Sequence, residues 1–283
     1  MAQFVLSSQL LHFLAYSIER PTMRLGEAMF IISIDVDVGS SELGVVNEGK
    51  NDLNVNKYVS EYRIGEIEES VLPIFVETFD AFEIPVTFAV RGQLTEVNES
   101  VLEMLLRSSV KHDIGAHGYY HREFTNLSCS EAESELNMIS AGLKKFSIVP
   151  KSFVFPRNSV AYLNLLVRHG YKCYRGCDGN FIKDRMCIEK NGELYNVHPG
   201  LYLEEGTSLA LLMRILDVSV AKRLPLHVWF HPWSFGKTKE AVQRFTKKVF
   251  TPLFSYAKEK ERSSSLSFET MLSAALKVEN IEK

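Results

Sequence analysis

The chain contains 283 residues, of which 46% are hydrophobic and 24% are charged, and its formal net charge is −3 at pH 7. This composition is ordinary for a globular protein with a sizeable core, and the length fits a single α/β barrel. The weakly acidic balance gives no electrostatic reason to expect nucleic acid or an anionic membrane as a partner.

Residues 1–28 are predicted to form a helical extension ahead of the main domain, with an amphipathic helix from Phe4 to Ile18 that ends before Pro21. A secretion signal requires basic residues ahead of its apolar core, and no Lys or Arg precedes the apolar residues here. No run approaches the ~18 apolar residues of a membrane span. Four cysteines in a chain of this length do not suggest a disulfide framework. We therefore expect a cytoplasmic protein without a membrane span.

From residue 29 onwards, short apolar runs alternate with longer amphipathic stretches. Strands are predicted at 29–37, 85–90, 111–117, 151–156, 171–175, 194–200 and 225–233. Helices are predicted at 61–82, 98–109, 130–145, 159–169, 207–222 and 237–261, with a short one from about 268 after a Ser-rich break. Ser130 and Glu133 form the pattern of a capping box at the start of one helix. Residues 39–60 are rich in Gly, Asn and Ser and predict a long loop, which in a compact domain is usually functional.

Repeated alternation of strand and helix predicts a parallel sheet, open or closed into a barrel, in one domain over residues 29–283. In such folds the chemistry lies beyond the carboxyl ends of the strands. The reactive side chains of this sequence follow four predicted strands at those ends, namely Asp35 and Asp37, His117 and His121, Arg157, and His231.

Asp35 and Asp37 lie two residues apart on a strand, so both carboxylates point to one side. Two such close carboxylates resist joint ionisation unless a cation neutralises one, although a bare D-x-D can also be a surface pair. His117 and His121 are four residues apart and share a face if the segment is helical. Two imidazoles and one carboxylate form a common hydrolytic metal site, while an isolated H-x-x-x-H can equally be two hydrogen-bonded histidines. The residues alone do not say which aspartate binds the ion.

His231 follows the apolar strand in LHVWFHPW and is the candidate general acid, because an imidazolium can protonate a leaving amine near neutral pH. Arg157 either holds Asp35 ionised or is a surface arginine at a strand end. His112 and His227 lie at the other ends of their strands and are interpreted as structural.

The order D-x-D, H-x-x-x-H, a Pro/Arg turn and a late His resembles the polysaccharide deacetylase family, through SIDVD, GAHGYYH and VWFHPW. This family includes chitin and peptidoglycan N-deacetylases and distant members that open cyclic amides such as allantoin. The resemblance implies a distorted (β/α)7 barrel and a divalent ion, Zn²⁺ or alternatively Co²⁺, Ni²⁺ or Mn²⁺. It also implies roles for the site residues: Asp35 as catalytic base, His231 as acid, and Asp37, His117 and His121 as ligands.

Three departures from the family pattern are present. Val36 separates aspartates that are usually adjacent, and Arg157 follows Pro156 where the family has Arg before Pro. The fourth motif has no clear counterpart, and Asp178 is the nearest candidate. The predicted activity is removal of an acetyl group from an N-acetylated sugar, an oligosaccharide or a polysaccharide precursor. The alternatives are hydrolysis of a cyclic amide or imide and non-catalytic carbohydrate binding.

Overall fold

The structure is a computed structural model that describes residues 26–37, 67, 69–177, 187–236 and 238–283. The predicted helix at 4–18, the predicted loop at 39–60 and Asp178 lie outside these ranges. Ala28, the last residue of the predicted extension, is already the first residue of the first strand.

The described ranges contain ten strands, which are β1 Ala28–Val36, β2 Thr87–Val90, β3 Asp113–Ala116, β4 Ser152–Ser159, β5 Cys173–Cys177, β6 Ile188–Asn191, β7 Leu194–Val197, β8 Leu201–Tyr202, β9 Pro225–Phe230 and β10 Leu266–Glu269. The α-helices are α1 Leu72–Phe82, α2 Leu94–Val97, α3 Glu99–Arg107, α4 Cys129–Lys144, α5 Leu163–Arg168, α6 Leu209–Lys222, α7 Lys239–Phe245, α8 Thr251–Arg262 and α9 Met271–Glu282.

Seven parallel strands lie side by side in the order β7-β5-β4-β3-β2-β1-β9 and form the core of the curved sheet. Strand β8 adds to β9, β6 pairs antiparallel with β7, and β10 pairs with the first half of β1. No strand pairing joins β7 to β8 or β9 within the part of the chain described. At that break, His227 Nδ1 donates a hydrogen bond of 2.8 Å to the carbonyl oxygen of His198. The predicted distorted (β/α)7 barrel is confirmed.

All nine residues of β1 are buried, because the strand lies in the middle of the sheet and is covered on both faces. The helices cover the outside of the sheet through apolar faces rich in phenylalanine. Phe75 of α1, for example, packs 5.1 Å from Phe230 of β9 and 6.1 Å from Phe250, measured between ring centroids. None of the helices in the described ranges combines the length and apolar character needed to cross a membrane.

The predicted capping box at Ser130 is wrong by two residues. The helix begins after Ser128, whose Oγ accepts from the backbone N–H of Glu131 while the Glu131 carboxylate accepts from Ser128 N–H at 2.8 Å. Both serines are followed three residues later by a glutamate, so the local pattern could not choose between them. The predicted helix at 237–261 is α7 and α8 joined by a π-helical turn, Thr246–Phe250.

Strands β6 and β10 were not predicted. Strand β6 is largely exposed and contains one apolar residue, and β10 follows directly on the Ser-rich break, so neither forms an apolar run that stands out in the sequence. β10 is nevertheless buried along most of its length and extends the sheet beside β1. The predicted short helix from about 268 therefore begins later, at Met271.

Candidate metal and catalytic site

The structure brings five of the predicted residues together at the carboxyl ends of β1, β3 and β9. Asp35 is the penultimate residue of β1 and Asp37 follows that strand, while His117 follows β3 and His231 follows β9. His117 Nε2 lies 3.8 Å from an oxygen of each aspartate. His231 Nε2 lies 4.0 Å from Asp35 Oδ2.

Asp37, His117 and His121 have the composition and spacing of a metal site. One ligand atom from each lies within 4.8 Å of the others, and His121 Nε2 is 3.0 Å from Asp37 Oδ2. The carboxylate and His117 are almost completely buried. Two neutral imidazoles and a carboxylate leave coordination positions open for water and substrate in catalytic zinc sites.

The hydrogen bonding of His117 fits the same interpretation. Its Nδ1 lies 2.8 Å from the carbonyl oxygen of Val154, which can only accept, so Nδ1 carries a proton and the neutral ring has its lone pair on Nε2. Nε2 is buried and makes no hydrogen bond to any described residue. Fixing the tautomer through the other ring nitrogen is the usual second contact of a metal-binding histidine.

His121 reaches the cluster from a turn and not from a helix, so the helical face predicted for H-x-x-x-H is not formed. The segment after β3 turns back at Gly118, with φ of +67°, and His121 itself has φ of +59°. The left-handed conformation is uncommon for a non-glycine residue and costs about 1–2 kcal/mol. The turn brings the His117 and His121 rings to 4.7 Å between centroids.

Asp35 is held ionised by cationic groups around it. Burial favours its neutral form, but the Arg175 guanidinium, His117 and His231 together hold the pKa of this carboxyl below its ordinary value. Arg175 Nη2 donates directly to Asp35 Oδ2. The other oxygen, Oδ1, is buried and has no hydrogen-bond partner among the residues in the described ranges. Arg175 therefore fixes one oxygen of Asp35, and the other oxygen is available.

His231 lies half-buried beside aromatic and hydroxyl groups. Its ring stacks on Trp233 at 4.7 Å between centroids, and the Tyr202 hydroxyl lies 3.3 Å from its Nδ1. The same hydroxyl lies 2.8 Å from Ser234 Oγ, which accepts from the His231 backbone N–H. These contacts orient the ring so that Nε2 faces Asp35.

Comparison with known proteins finds the same architecture. The sequence profile described as polysaccharide deacetylase matches residues 63–173, a stretch that includes His117 and His121. A protein named as a polysaccharide deacetylase from Mycobacterium smegmatis has a TM-score of 0.69 at 14% identity, over 93% of this chain and 96% of that chain. One from Pseudomonas aeruginosa PAO1 has a TM-score of 0.65 at 13% identity, over 93% and 96% of the two chains.

The chain resembles the polysaccharide deacetylase family in sequence and in fold. The structure of Puue allantoinase is also similar, with a TM-score of 0.63 at 15% identity over 93% of this chain and 94% of that chain. At these identities the solved structures establish the fold alone. No curated protein matches the chain by sequence.

The arginine that contacts Asp35 is not the one predicted from the family's Pro/Arg turn. Arg157 forms an ion pair with Glu123 at 3.4 Å, and its side chain is 37% exposed. Arg157 and Asn158 both have positive φ, so the backbone of the turn directs this arginine towards Glu123. The guanidinium on Asp35 comes instead from Arg175, in the middle of β5.

Arg175 is enclosed in the barrel by side chains from two other strands. Its Nη1 donates to Ser33 Oγ at 2.8 Å, and its guanidinium carbon lies 4.3 Å from the centroid of the Trp229 ring. Ser33 in turn contacts His227 Nε2 at 2.8 Å, and the other nitrogen of that ring donates to His198 O. Burial, followed by the charge of Arg175, lowers the pKa of His227 to about 3, so its ring is neutral. The structural interpretation of His227 is confirmed.

A signal for Arg175 was present in the sequence. The predicted strand YKCYR ends on a charged residue inside an otherwise apolar barrel, and buried charges are paired or bound to a ligand. The side chain of His198, by contrast, contacts Glu189 at 3.3 Å.

Proposed function

We propose that this protein is a metal-dependent amide hydrolase that removes the acetyl group from an N-acetylated sugar or oligosaccharide. The observation that carries the proposal is the proximity of a candidate ion site to a candidate base. His117 offers a buried Nε2 lone pair beside Asp37 and His121, and Asp35, held ionised by Arg175, lies 3.8 Å from that nitrogen. The resemblance to polysaccharide deacetylases supports the same chemistry.

Asp37, His117 and His121 would hold the divalent ion. Two imidazoles and one carboxylate suit Zn²⁺, with Co²⁺, Ni²⁺ and Mn²⁺ as alternatives for the same donor set. When bound, such an ion polarises the amide carbonyl and lowers the pKa of water by several units. The pKa of Asp37 supports this assignment: burial alone would raise it, but the surrounding histidines, His231 first among them, hold it well below its usual value.

Asp35 acts as general base. Its pKa lies below the ordinary value, so the carboxylate is ionised at neutral pH and can accept a proton from the attacking water. Arg175 occupies Oδ2, which leaves Oδ1 as the oxygen that takes the proton. The ion pair also fixes the orientation of the carboxylate relative to the ligand histidines.

His231 acts as general acid and protonates the departing nitrogen. It follows β9, and its Nε2 lies 4.0 Å from Asp35 Oδ2, so the proposed acid and base face the same reaction centre. Stacking on Trp233 and the contact with Tyr202 hold the ring in position during the transfer.

A second substrate class has a specific observation in its favour. The likeness to Puue allantoinase extends over almost the whole length of both chains, and allantoin is a cyclic amide. Hydrolysis of a ring amide needs the same base, acid and ion as removal of an acetyl group. The distinction therefore lies in the substrate and not in the catalytic groups.

The test combines metal removal with a matched pair of substitutions. Acetate release from N-acetylglucosamine oligomers and ring opening of allantoin are measured before and after chelation and after return of Zn²⁺ or Co²⁺. Asp35→Asn is expected to lower kcat about 10²–10⁴-fold with unchanged metal content, as loss of a general base does. The control is Asp113→Asn, the same change at the first residue of β3, at the end of that strand away from His117. This variant should retain activity.

Retention of wild-type activity by Asp35→Asn would exclude this residue as the base. Activity that survives complete removal of the ion would exclude a metal-dependent mechanism. A protein that binds the ion but hydrolyses neither substrate class would instead favour a carbohydrate-binding role without catalysis.

A further inference from the structure

A fully buried carboxylate lies outside the catalytic cluster, on helix α4. Glu135 has a relative exposure of 0% and occupies the face of the helix that also carries Ala132, Leu136 and Ile139. Glutamate is rarely buried completely unless it is paired, because removal of its charge from water is costly. The partners of Glu135 therefore indicate what this residue does.

Within the described part of the chain, the side-chain hydrogen bonds of Glu135 go to the turn that carries His121. Its Oε2 accepts from the backbone N–H groups of Tyr119 and Tyr120, at 2.5 and 2.9 Å. Its Oε1 accepts from Arg122 Nε at 2.8 Å. Glu135 thus binds two residues before His121 and the one after it. Successive backbone N–H groups around one oxygen form an anion-binding concavity of the kind called a nest.

The opposite side of the same turn is held by the loop after β2. The carbonyl oxygen of Gly118 accepts from Gly92 N–H at 2.8 Å, and that of Tyr119 accepts from Gln93 N–H at 3.2 Å. At Gly118 a side chain would be strained by the positive φ, and its Cβ would lie 3.1 Å from Pro156 Cγ. Neighbouring groups therefore enclose the turn closely, and the Glu135 carboxylate accepts its hydrogen bonds on one side.

We propose that Glu135 is a positioning residue for the metal ligand His121. A histidine with φ of +59° keeps that conformation only where neighbouring contacts impose it. Glu135 supplies such contacts on both sides of His121 and so holds Nε2 next to Asp37. The inference rests on the proposed metal-dependent function, and it adds a residue 14 positions away that acts on ion affinity and not on the reacting atoms.

A neutral amide cannot replace this carboxylate. If the oxygen of a glutamine faces the two backbone N–H groups, its NH₂ faces Arg122 Nε–H, and two donors oppose each other. If the amide is turned over, the NH₂ faces the backbone N–H groups instead. Glu135→Gln therefore loses one of the three hydrogen bonds in the first orientation and two of them in the second. Substitution of residues that orient metal ligands typically lowers metal affinity 10–100-fold.

The experiment measures Co²⁺ affinity of the full chain by calorimetric titration and by the visible absorption of the bound ion. Glu135→Gln is compared with the wild type and with Glu133→Gln, the same change at an exposed position of α4 that pairs with Arg168. Glu135→Gln should bind Co²⁺ about 10–100-fold more weakly, with a changed absorption spectrum, while Glu133→Gln binds like the wild type. At saturating Zn²⁺ its activity should recover most of the loss, since Glu135 does not touch the reacting groups.

Equal Co²⁺ affinity and an unchanged spectrum in Glu135→Gln would overturn the inference while leaving the proposed function intact. A wild-type protein that binds no Co²⁺ or Zn²⁺ would overturn the proposed metal site and this inference with it. If Glu135→Gln does not fold by circular dichroism, Arg122→Gln removes the contact to Oε1 and keeps both backbone contacts to Oε2, although it also removes the 3.5 Å ion pair between Arg122 and Glu131. A smaller loss of Co²⁺ affinity in that variant supports the inference, and an unchanged affinity overturns it.

Discussion

Strand β3 has a histidine at each end, and the two rings are held in opposite ways. His112 precedes the strand, and its Nδ1 accepts from Val86 N–H at 3.3 Å while Nε2–H donates to Ser108 Oγ at 2.8 Å. His117 follows the strand, and only its Nδ1 has a hydrogen-bond partner in the described ranges. A structural histidine has both ring nitrogens satisfied, whereas a candidate ligand keeps one for an ion.

The surroundings of the two rings differ in charge as well. Burial lowers the pKa of His112 to about 4, and the single carboxylate of Asp80 does not reverse this. Burial also lowers the pKa of His117, but the charges of Asp35 and Asp37 outweigh it, so the pKa is raised above its ordinary value. In a metal-free protein the two aspartates attract a proton to His117, and a bound cation would satisfy the same charges.

Substitution of the two histidines should separate activity from stability. His117→Ala is expected to lower kcat/KM by about 10³-fold or more, because loss of the ion removes several kcal/mol of transition-state stabilisation. His112→Ala should retain activity but lower the free energy of unfolding by about 2–3 kcal/mol, through lost hydrogen bonds and lost packing on Phe88 at 4.9 Å. Kinetics and denaturant unfolding of both variants provide the measurement. Wild-type activity in His117→Ala would contradict the proposed role of His117 as an ion ligand.

Arg175→Met tests the charge that keeps Asp35 ready to act as base. The change removes a cation from Asp35, so the pKa of the carboxyl rises and the acidic limb of the pH–rate profile moves to higher pH. With the carboxylate also released from its fixed orientation, kcat/KM at neutral pH should fall about 10²-fold. The profile is measured from pH 4 to 9, and an unmoved acidic limb would contradict the role of Arg175.

Stability supplies the control for that substitution. Removal of one partner of a buried ion pair leaves an uncompensated charge and typically costs about 3–5 kcal/mol. Arg175→Met should therefore be much less stable than the wild type at pH 7. The double variant with Asp35→Asn should recover much of the loss, because no charge is then left unpaired. Arg157→Met, whose side chain is exposed and pairs with Glu123, should change stability little.

The fold and the convergence of Asp35, Asp37 and His117 could be predicted because both follow from strand position. Buried parallel strands are continuous apolar runs, and their carboxyl ends meet at one edge, so residues after β1 and β3 had to converge. The partners of Asp35 and His121 could not be predicted in the same way. Arg175 lies 140 residues from Asp35 and meets it only through the curvature of the barrel.

Glu135 shows the same limit within a single helix. It occupies a position of the apolar face of α4, and a charged residue in such a position is the only local sign that it has a buried partner. The identity of that partner depends on how α4 packs against the turn after β3. The capping box illustrates the limit at shorter range, since Ser128 and Ser130 satisfy the same local pattern and packing selects the first.

The pH dependence of stability should reveal His112 as the structural member of the pair. Its pKa is about 4 in the folded protein and about 6.5 unfolded, so the unfolded chain binds a proton that the folded protein does not. This contribution is complete above pH 6.5 and is lost as the pH falls towards 4, by about 2 kcal/mol between pH 7 and 5. His112→Gln, whose amide can accept from Val86 N–H and donate to Ser108 without titrating, should lose correspondingly less stability over that interval. Urea unfolding of both proteins at pH 7 and 5, without added metal, measures the difference. Equal losses in the two proteins would mean that the His112 ring is protonated in the fold, which its acceptor role towards Val86 opposes.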